Sequence, residues 1–504
     1  MAKGDFPVLV GVGQSLSQWD GTAGPASAPS PLSLMVEASK KALIDTGAPD
    51  VTGAIDMIAV VRIFEDSVRG APHPHGHNTN LPGTLARDIG ASPAHLIYET
   101  VGGQSPQALV NEMAAKIFDG EIECALISGS EANRASKGAR RHGVDIDWTD
   151  GSEAGYEDRG TGPMMLSREE IKHGIIAPAY FYALFENAFA ARKGQSRSQR
   201  RKAMAELFQP FTTVAANNPY SQFPVEHSVD FLSTPSRENY EYADPFLKWF
   251  IAQDAVNQGA AAIVMSSSKA DELGIAEDKR VYLHGAGEGS DDFISVRPRL
   301  DGSFAMEAAI SRALGQAGKT AADMAHFDLY SCFPCAVFSS AQALGIDWQT
   351  DPRSLTLTGG LPFFGGPGNN YSLHGIAEMA VKLRTDTGKF GLVLANGGWM
   401  TKEAVGVYST AKPASFTPVA QYARPAEEIE LCSEDCVGKL ETFTVTHGKE
   451  GPSKGIIFAR LPDGRRALAN ASPAALAVLR EDANPAGRTV KITVEGETGT
   501  FDFA

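Results

Sequence analysis

The chain has 504 residues, 43% of them hydrophobic and 21% charged, which is the composition of a globular protein with several domains. Its formal net charge of −15 would repel phosphate backbones, so a nucleic-acid partner is excluded. No apolar run approaches the roughly 20 residues of a membrane span, and the first residues lack the pattern of a signal peptide. Five cysteines are too few for a disulfide framework, so we expect a cytoplasmic protein.

The first predicted elements recur later in the chain. Residues 35–60 and 306–331 each place small and apolar residues at helical spacing and then run into a β-rich segment. In each copy a glycine, Gly47 or Gly318, follows an Ala-Leu pair at the same distance. The two segments therefore predict the same helix–strand unit.

Two further pairs of segments follow in the same order. A glycine-rich turn that enters an apolar helix occurs at 100–117 and at 365–383. A β-rich run that ends in a turn of small residues occurs at 124–132 and at 391–400. Three correspondences in one order predict a duplicated α/β domain with layered sheets and helices.

The segments that do not repeat set the predicted domain limits. The middle of the chain is irregular and aromatic, and the C-terminal part has short alternating strands separated by turn signals. The predicted parts are an N-terminal α/β domain at 1–270 with an inserted loop domain at about 133–250, a second α/β domain at 271–410, a linker at 411–430 and a small β-barrel domain of the OB type at 431–504.

Several motifs resemble those of the thiolase superfamily, closest to its sterol-carrier-type branch. They are NNPYSQF at 217–223, a segment at 243–267 that leads into a Gly-Ala-Ala-Ala strand, LYSCF at 329–333 in place of His-Asp-Cys-Phe, and LTGGLPFFGGPG at 357–368 in place of a Gly-Gly run and Gly-His-Pro. The resemblance implies a five-layer thiolase-like fold and a coenzyme A thioester as substrate or ligand, with no covalently bound cofactor. A subset of mycobacterial thiolase-like proteins has an extra C-terminal domain, and this chain resembles those most.

The same resemblance shows which catalytic groups are missing. Gly102 stands where a thiolase has the cysteine that takes the acyl group, and a glycine cannot form an acyl-enzyme. Gly366 stands where Gly-His-Pro has its histidine, and Ser105, in the first glycine turn, has no evident base beside it. We expect Gly102, Gly103, Gly366 and Gly398 to supply oxyanion contacts or only tight turns.

The Cys-x-x-Cys pair of Cys332 and Cys335 admits several interpretations. A redox pair is disfavoured because the motif is not in a thioredoxin-like unit, and a zinc site with Cys432 and Cys436 is disfavoured by the spacing of that second pair. The resemblance implies that Cys332 is a catalytic acid/base. The alternative for both is a buried thiol that packs at a strand end.

Four side chains are candidates for proton transfer, namely Tyr330, Cys332, Tyr371 and His374. Thiolase-fold steroid-side-chain aldolases, which this region also resembles, carry Tyr-Asp-x-Phe in place of YSCF, and a tyrosine and a His-Gly pair after the second glycine turn. That resemblance implies proton abstraction from a β-hydroxy group and C–C cleavage. For His374 a local hydrogen bond in the first helical turn is the alternative.

A run of histidines at 73–77 has the alternation that suits a metal site. His73, His75 and His77 alternate, but their proline-rich loop favours a solvated turn, so the sequence predicts no metal site.

A basic run at 192–202 stands out in this acidic chain. The resemblance makes four of its residues candidates for contacts to the phosphates of coenzyme A: Arg197, Arg200, Arg201 and Lys202. A solvated helix face is the alternative.

Three functions follow from these features. The first is an acyl-CoA-handling protein of the acyltransferase class with altered chemistry, the second a retro-aldol lyase that cleaves a β-hydroxyacyl-CoA, and the third a non-catalytic acyl-CoA or lipid-binding protein. A homodimer and a monomer both remain open, because thiolases usually dimerise and an added domain could cover that surface.

Overall fold

The structure, a computed structural model, describes residues 4–419 and 427–504. Its strands are β1 Pro7–Leu16, β2 Met57–Val60, β3 His95–Tyr98, β4 Cys124–Ala132, β5 Glu157–Asp158, β6 Glu241–Ala243, β7 Phe246–Leu247, β8 Asn257–Ser266, β9 Val281–Ser290, β10 Met324–Leu329, β11 Phe390–Gly397, β12 Lys402–Ser409, β13 Cys436–Gly448, β14 Gly451–Arg460, β15 Arg466–Ala471, β16 Thr489–Glu495 and β17 Thr498–Phe503. Its α-helices are α1 Pro31–Asp45, α2 Leu81–Ile89, α3 Ser105–Asp119, α4 Asn133–His142, α5 Arg168–Lys172, α6 Pro178–Arg192, α7 Arg197–Asn217, α8 Val229–Ser233, α9 Ser267–Glu272, α10 Phe304–Ala317, α11 Pro334–Leu344, α12 Tyr371–Thr385 and α13 Pro473–Glu481. Within the described ranges, no helix combines the length and the apolar character needed to cross a bilayer.

The larger sheet shows the duplication directly. Ten strands pair in the order β10-β11-β12-β9-β1-β8-β4-β2-β3-β5. At its centre β1 meets β9 through two antiparallel residue pairs. Outward from that centre, each half has two antiparallel pairings followed by parallel pairing, three pairs of strands in the first half and one in the second. This shared order confirms the duplicated α/β fold that the sequence predicts.

The helices of the two halves occupy matching places in five layers. α1 packs on β1 and β8 on one outer side, and α10 packs on β9 and β12 on the other. α3 and α12 lie between the two halves of the sheet, where Leu109, Met113, Ile376 and Met379 belong to one buried apolar cluster. The five-layer thiolase-like arrangement is therefore present.

Each half also has very close approaches of helix to strand, at Gly11 and Gly13 in β1 and at Gly285, Gly287 and Gly289 in β9. A Cβ on Gly13 in β1 would come within 2.1 Å of the carbonyl oxygen of Ala38, and a Cβ on Gly287 in β9 within 2.0 Å of that of Ala309. Only glycine permits a backbone to lie so close. These glycines are a further internal repeat, which helical spacing alone does not indicate.

The C-terminal strands form a small closed barrel. β13 to β17 pair in the ring β13-β14-β15-β17-β16 and back to β13, with α13 between β15 and β16. β6 and β7 of the loop region extend the sheet at β13. The assignment of this barrel to the OB class and the exact domain limits stay predictions.

Buried polar contacts hold the barrel against the rest of the chain. Arg466 in β15 is fully buried, and its guanidinium donates to the carbonyl oxygens of Ser295 and Arg297, both at 2.8 Å. The same guanidinium pairs with Glu441 at 2.8 Å. From α6, Asn187 donates at 2.8 Å to a carbonyl oxygen of β13. The inserted loop region therefore forms part of the platform on which the barrel sits.

The predicted linker at 411–430 lies partly outside the described residues. In its described part, Phe416 is buried and packs against Phe118 of α3, with ring centroids 5.5 Å apart. The chain after β12 therefore lies against the α/β body as far as the structure describes it.

Candidate functional site

A cavity of about 450 Å³ lies between the two halves. It opens where β3, β10 and β11 end and where the turns before α3 and α12 begin, which is the place where α/β sheets bind ligands. Its inner wall includes Gly102, Gly103, Tyr330, Cys332, Gly366 and Asn396, and its mouth includes Tyr240, Tyr242 and Lys248 of the loop region.

The first glycine turn has a backbone that a side chain would strain. Gly102 has φ +150°, and a Cβ there would meet the Oε1 atom of Gln104 at 2.0 Å. Gln104 is buried, and its Oε1 accepts no hydrogen bond from the described residues. The amide of Gln104 therefore fills the space that a nucleophile would need. Ser105 does not replace it, because its hydroxyl donates to the carbonyl oxygen of Thr100 at 3.1 Å.

The glycine N–H groups of the site differ in their availability to a ligand. That of Gly102 donates to Oδ1 of Asn369 at 3.1 Å, and that of Gly366 donates to the carbonyl oxygen of Gln253 at 2.9 Å. These two N–H groups are occupied within the protein, which corrects the expectation of an oxyanion role for them. The N–H of Gly103 has no acceptor among the described residues and remains for a ligand.

Gly366 contributes space to the cavity. Its φ is not positive, and a Cβ there would have its nearest neighbours at 3.4 Å. A larger side chain would therefore fit at this position without backbone strain, unlike at Gly102. The missing histidine leaves room for a ligand at this wall.

Tyr330 places a hydroxyl at the wall of the cavity. A Cβ on Gly103 would come within 2.3 Å of this hydroxyl oxygen, so the phenol lies directly against the first glycine turn. Burial, and then the nearby Cys332 and Glu403, raise the pKa of Tyr330 well above its usual value. Tyr330 is therefore a neutral hydrogen-bond donor rather than a phenolate base.

Tyr371 supports Tyr330 from behind. The two rings meet edge to face with centroids 5.2 Å apart, and the hydroxyl of Tyr371 shares a hydrogen bond of 2.5 Å with Thr358. Tyr371 is fully buried and does not line the cavity. Tyr371 therefore packs against Tyr330 without facing the cavity, and this geometry gives no support to its predicted role in proton transfer.

Cys332 lies at the cavity wall beside Asn396 and Tyr182. The Asn396 amide nitrogen lies 3.7 Å from Sγ of Cys332 and donates to the hydroxyl of Tyr182 at 3.0 Å. The Tyr182 hydroxyl in turn donates to the carbonyl oxygen of Gly398 at 3.2 Å. Burial raises the pKa of the Cys332 thiol to about 12, although the contact to Tyr182 lowers it. The thiol is thus protonated at neutral pH and is a poor nucleophile.

Cys335 is separated from the cavity. It lies in α11, is fully buried, and donates its thiol to the carbonyl oxygen of Tyr182 at 3.5 Å. Both cysteines are free thiols, and Cys432 and Cys436 lie at the C-terminal barrel instead of beside them. The structure brings together neither a disulfide nor the four-cysteine zinc site.

His374 does not reach the cavity, which corrects its prediction as a catalytic group. It is fully buried in α12, and its Nδ1 lies 2.7 Å from Oε1 of Gln14 in β1. Burial lowers its pKa to about 3, so the ring is neutral. Its helical phase directs it to the first half of the sheet, so its hydrogen bond reaches a distant strand and is not the local first-turn bond that was the alternative.

The basic residues of α7 mostly have partners inside the protein. Arg200 is buried against Glu186, with its Nε donating at 2.6 Å. Arg201 is nearly buried and donates to the carbonyl oxygen of Pro245 at 2.9 Å.

Arg197 pairs with Asp244 at 2.8 Å and also bonds carbonyl oxygens of α13, and Lys202 is exposed beside Glu206. None of the four lines the cavity. The expected phosphate contacts are corrected for the three arginines, which tie the loop region together and to the barrel.

Sequence reasoning missed four polar residues at or under this site: Gln104, Tyr182, Asn396 and Glu403. Glu403 in β12 is opposite Asn396 in the sheet, is fully buried, and has both carboxylate oxygens without a hydrogen bond from the described residues. Burial, and then the nearby Asp291, raise its pKa well above the usual value, although Arg297 lowers it. The LANGG run at the end of β11 is a signal for Asn396, but no local pattern marks Glu403.

Comparison with known proteins gives a match over the whole chain. A crystal structure of a monomeric SCP2-thiolase like protein type 1 from Mycobacterium smegmatis aligns over 100% of both chains, at 38% identity and a TM-score of 0.82. A family profile described as "thiolase-like protein type 1 additional C-terminal domain" matches residues 419–499, which include strands β13 to β16 of the barrel and the start of β17.

Two other similarities are more limited. A probable acetyl-CoA acetyltransferase from Mycolicibacterium smegmatis is 28% identical over 130 residues, which is 25% of this chain and 30% of that protein. The Ltp2-ChsH2(DUF35) aldolase aligns over 82% of this chain and 100% of its own at 17% identity and a TM-score of 0.59, which shows a shared fold alone. The two relatives are named for different reactions, so the fold does not choose between them.

Proposed function

Because this chain belongs to the thiolase superfamily and, within it, to the SCP2-thiolase-like proteins of type 1, we propose that it binds an acyl-CoA thioester without forming an acyl-enzyme. It is a thiolase-like protein related to acetyl-CoA acetyltransferases. The observation that carries the proposal is the contact of the Tyr330 hydroxyl with Gly103 at the cavity wall. There the phenol and the Gly103 N–H are two neighbouring donors for one thioester oxygen.

The absence of covalent chemistry rests on the groups around that oxygen site. Gly102 offers no side chain, the Ser105 hydroxyl is turned to a carbonyl oxygen, and the thiol of Cys332 has its pKa raised to about 12 by burial. The two donors would polarise the carbonyl group of a thioester bound here, but no activated nucleophile lies next to it. The chemistry of this family member is therefore altered at its first step.

The mouth of the cavity offers a different phosphate contact from the one expected on α7. Lys248 is the one cation among the described cavity-lining residues, and its Nζ lies 4.6 Å from the centroid of the Trp249 ring. The part-exposed rings of Tyr240 and Tyr242 line the same cavity. A cation next to aromatic faces suits the phosphates and the adenine of coenzyme A. We assign the nucleotide part of the ligand to this side of the cavity.

The retro-aldol alternative lacks its base in this geometry. That reaction needs a group that removes a proton from a β-hydroxyl. Tyr371 and His374, which carried the resemblance to the aldolases, lie outside the cavity, and Tyr330 has its pKa raised well above the usual value. The geometry favours a donor that polarises a carbonyl over a base that starts C–C cleavage.

The experiment is a calorimetric titration of tag-free protein with acetyl-CoA. Tyr330→Phe removes the proposed donor and should weaken binding about 5- to 10-fold, since one neutral hydrogen bond contributes on the order of 1 kcal/mol. Tyr371→Phe is the matched control, because its hydroxyl bonds Thr358 and does not face the ligand, so its affinity should equal that of wild type. Equal affinities for wild type and Tyr330→Phe would contradict the proposal.

A further inference from the structure

The histidines at 73–77 lie on two opposite faces of their loop. His75 is buried, with its ring edge against Trp148 at a centroid distance of 5.1 Å. His73 and His77 lie on the opposite face, and their rings are 4.0 Å apart. The alternation in the sequence therefore pairs two histidines on one side of the loop.

A carboxylate from another element completes this pair. The chain after β2 forms a short 3-10 turn, Phe64–Ser67, and Asp66 in this turn faces both rings. Oδ1 of Asp66 lies 3.3 Å from Nε2 of His77 and 3.7 Å from Nε2 of His73. Potential ligand atoms of all three side chains lie within 4.8 Å of one another, as around a single ion.

Surrounding groups hold these side chains in position. The other oxygen of Asp66 accepts a hydrogen bond of 2.5 Å from the buried hydroxyl of Tyr98. Nδ1 of His73 lies 3.7 Å from Oε2 of Glu65, which leaves Nε2 directed to Asp66. A carboxylate at the second nitrogen of a histidine is the usual support of a metal ligand.

We propose that Asp66, His73 and His77 bind a divalent transition metal ion, with zinc the best match. Two imidazole nitrogens and one carboxylate oxygen are a ligand set of zinc, and three protein ligands leave a position for solvent. His73 and His77 are part-exposed, and a surface cavity of about 120 Å³ that they line gives an ion a way in. The sequence prediction of a solvated turn did not include Asp66, which comes from outside the loop.

The site is linked to the proposed thioester cavity by a short chain of contacts. Phe64 of the same turn lines that cavity. Ser67, at the end of the turn, accepts a hydrogen bond from the Asn369 amide, and Oδ1 of Asn369 accepts from the N–H of Gly102. A bound ion would therefore fix the loop at 73–77 to the turn that supports one wall of the cavity.

The test is metal binding by tag-free, chelator-treated protein. Zn²⁺ should bind at one equivalent per chain in competition with a chromophoric chelator, and Co²⁺ should give the intense visible absorption of a four-coordinate nitrogen and oxygen site. His73→Ala/His77→Ala should weaken Zn²⁺ binding more than 100-fold, and Glu65→Gln by about 10- to 100-fold, the usual effect of losing a ligand's support.

Two controls keep the result interpretable. His95→Gln removes an exposed histidine from the start of β3 and should leave the binding unchanged. His77→Gln alone changes a side chain that is 44% exposed, so it tests the site even where the double variant folds poorly. Absence of a stoichiometric Zn²⁺ complex in wild type, or equal binding by wild type and His77→Gln, would overturn the proposal.

Discussion

Replacing Gly102 by cysteine tests whether the lost nucleophile could simply be restored. A cysteine at position 102 would have to adopt φ +150°, a backbone conformation that costs a residue other than glycine roughly 1–3 kcal/mol. It would also overlap Oε1 of Gln104 at 2.0 Å, and moving that buried amide costs about 1 kcal/mol more. We therefore expect Gly102→Cys to lower the free energy of unfolding by about 2–4 kcal/mol.

The assay is urea unfolding, with a partner substitution and a matched control. In the Gln104→Ala background, Gly102→Cys should lower the free energy of unfolding by about 1 kcal/mol less than it does in wild type. The overlap with Gln104 is then gone, while the backbone strain stays. Gly366→Cys should cost less than about 1 kcal/mol, since its Cβ has space and an ordinary backbone. Wild-type stability for Gly102→Cys would refute the reasoning that Gln104 and the backbone exclude a nucleophile here.

Two further predictions concern the cysteine at the cavity and the docked barrel. Because the pKa of Cys332 is raised to about 12, the rate of its alkylation by iodoacetamide should still increase with pH above 9.5, where the rate for an ordinary thiol levels off. Peptide mass spectrometry measures this rate, and a plateau near pH 9 would contradict the prediction. Arg466→Met should destabilise the protein by about 3 kcal/mol, because it leaves two buried carbonyl oxygens without their donor and leaves Glu441 with Arg460 as its remaining partner. Thermal unfolding measures this, and an unchanged midpoint would show that the contact does not hold the barrel.

The duplicated fold was predictable because its signals are local and repeated. Helical spacing, the glycines that end α1 and α10, and the glycine turns before α3 and α12 recur in one order in both halves. Gly47 and Gly318 do adopt the left-handed conformation that a helix end favours, with φ of +72° and +60°. Such features depend on a few neighbouring residues and can therefore be seen in the sequence.

The candidate site was predictable only where a side chain directly follows a strand. Tyr330 and Cys332 come immediately after β10 and line the cavity, so their position in the chain was informative. His374 lies within a helix, and its direction depends on how α12 packs between the two sheet halves. Arg200 pairs with Glu186, 14 residues away, and Arg201 pairs with Glu241, 40 residues away. No local sequence pattern indicates that the charges of these arginines are paired within the protein.

The sequence could not show, for a related reason, that Gln104 occupies the space of the missing nucleophile. The motif comparison identified Gly102 as a missing cysteine, but the amide that occupies the space comes from a side-chain rotamer and the surrounding packing. The same holds for Asp66, which joins two histidines from a separate element. Contacts between elements that are distant in the sequence can be identified only when the three-dimensional structure is known.

The most direct test of the central claim is an attempt to trap an acyl group on the wild-type chain. The protein is incubated with acetyl-CoA, quenched in acid and weighed by intact-mass spectrometry, while calorimetry on the same preparation confirms that the thioester binds. We predict saturable binding and no added acetyl mass. A stoichiometric acetyl adduct, mapped to Cys332 or to any other residue at the cavity wall, would contradict the account.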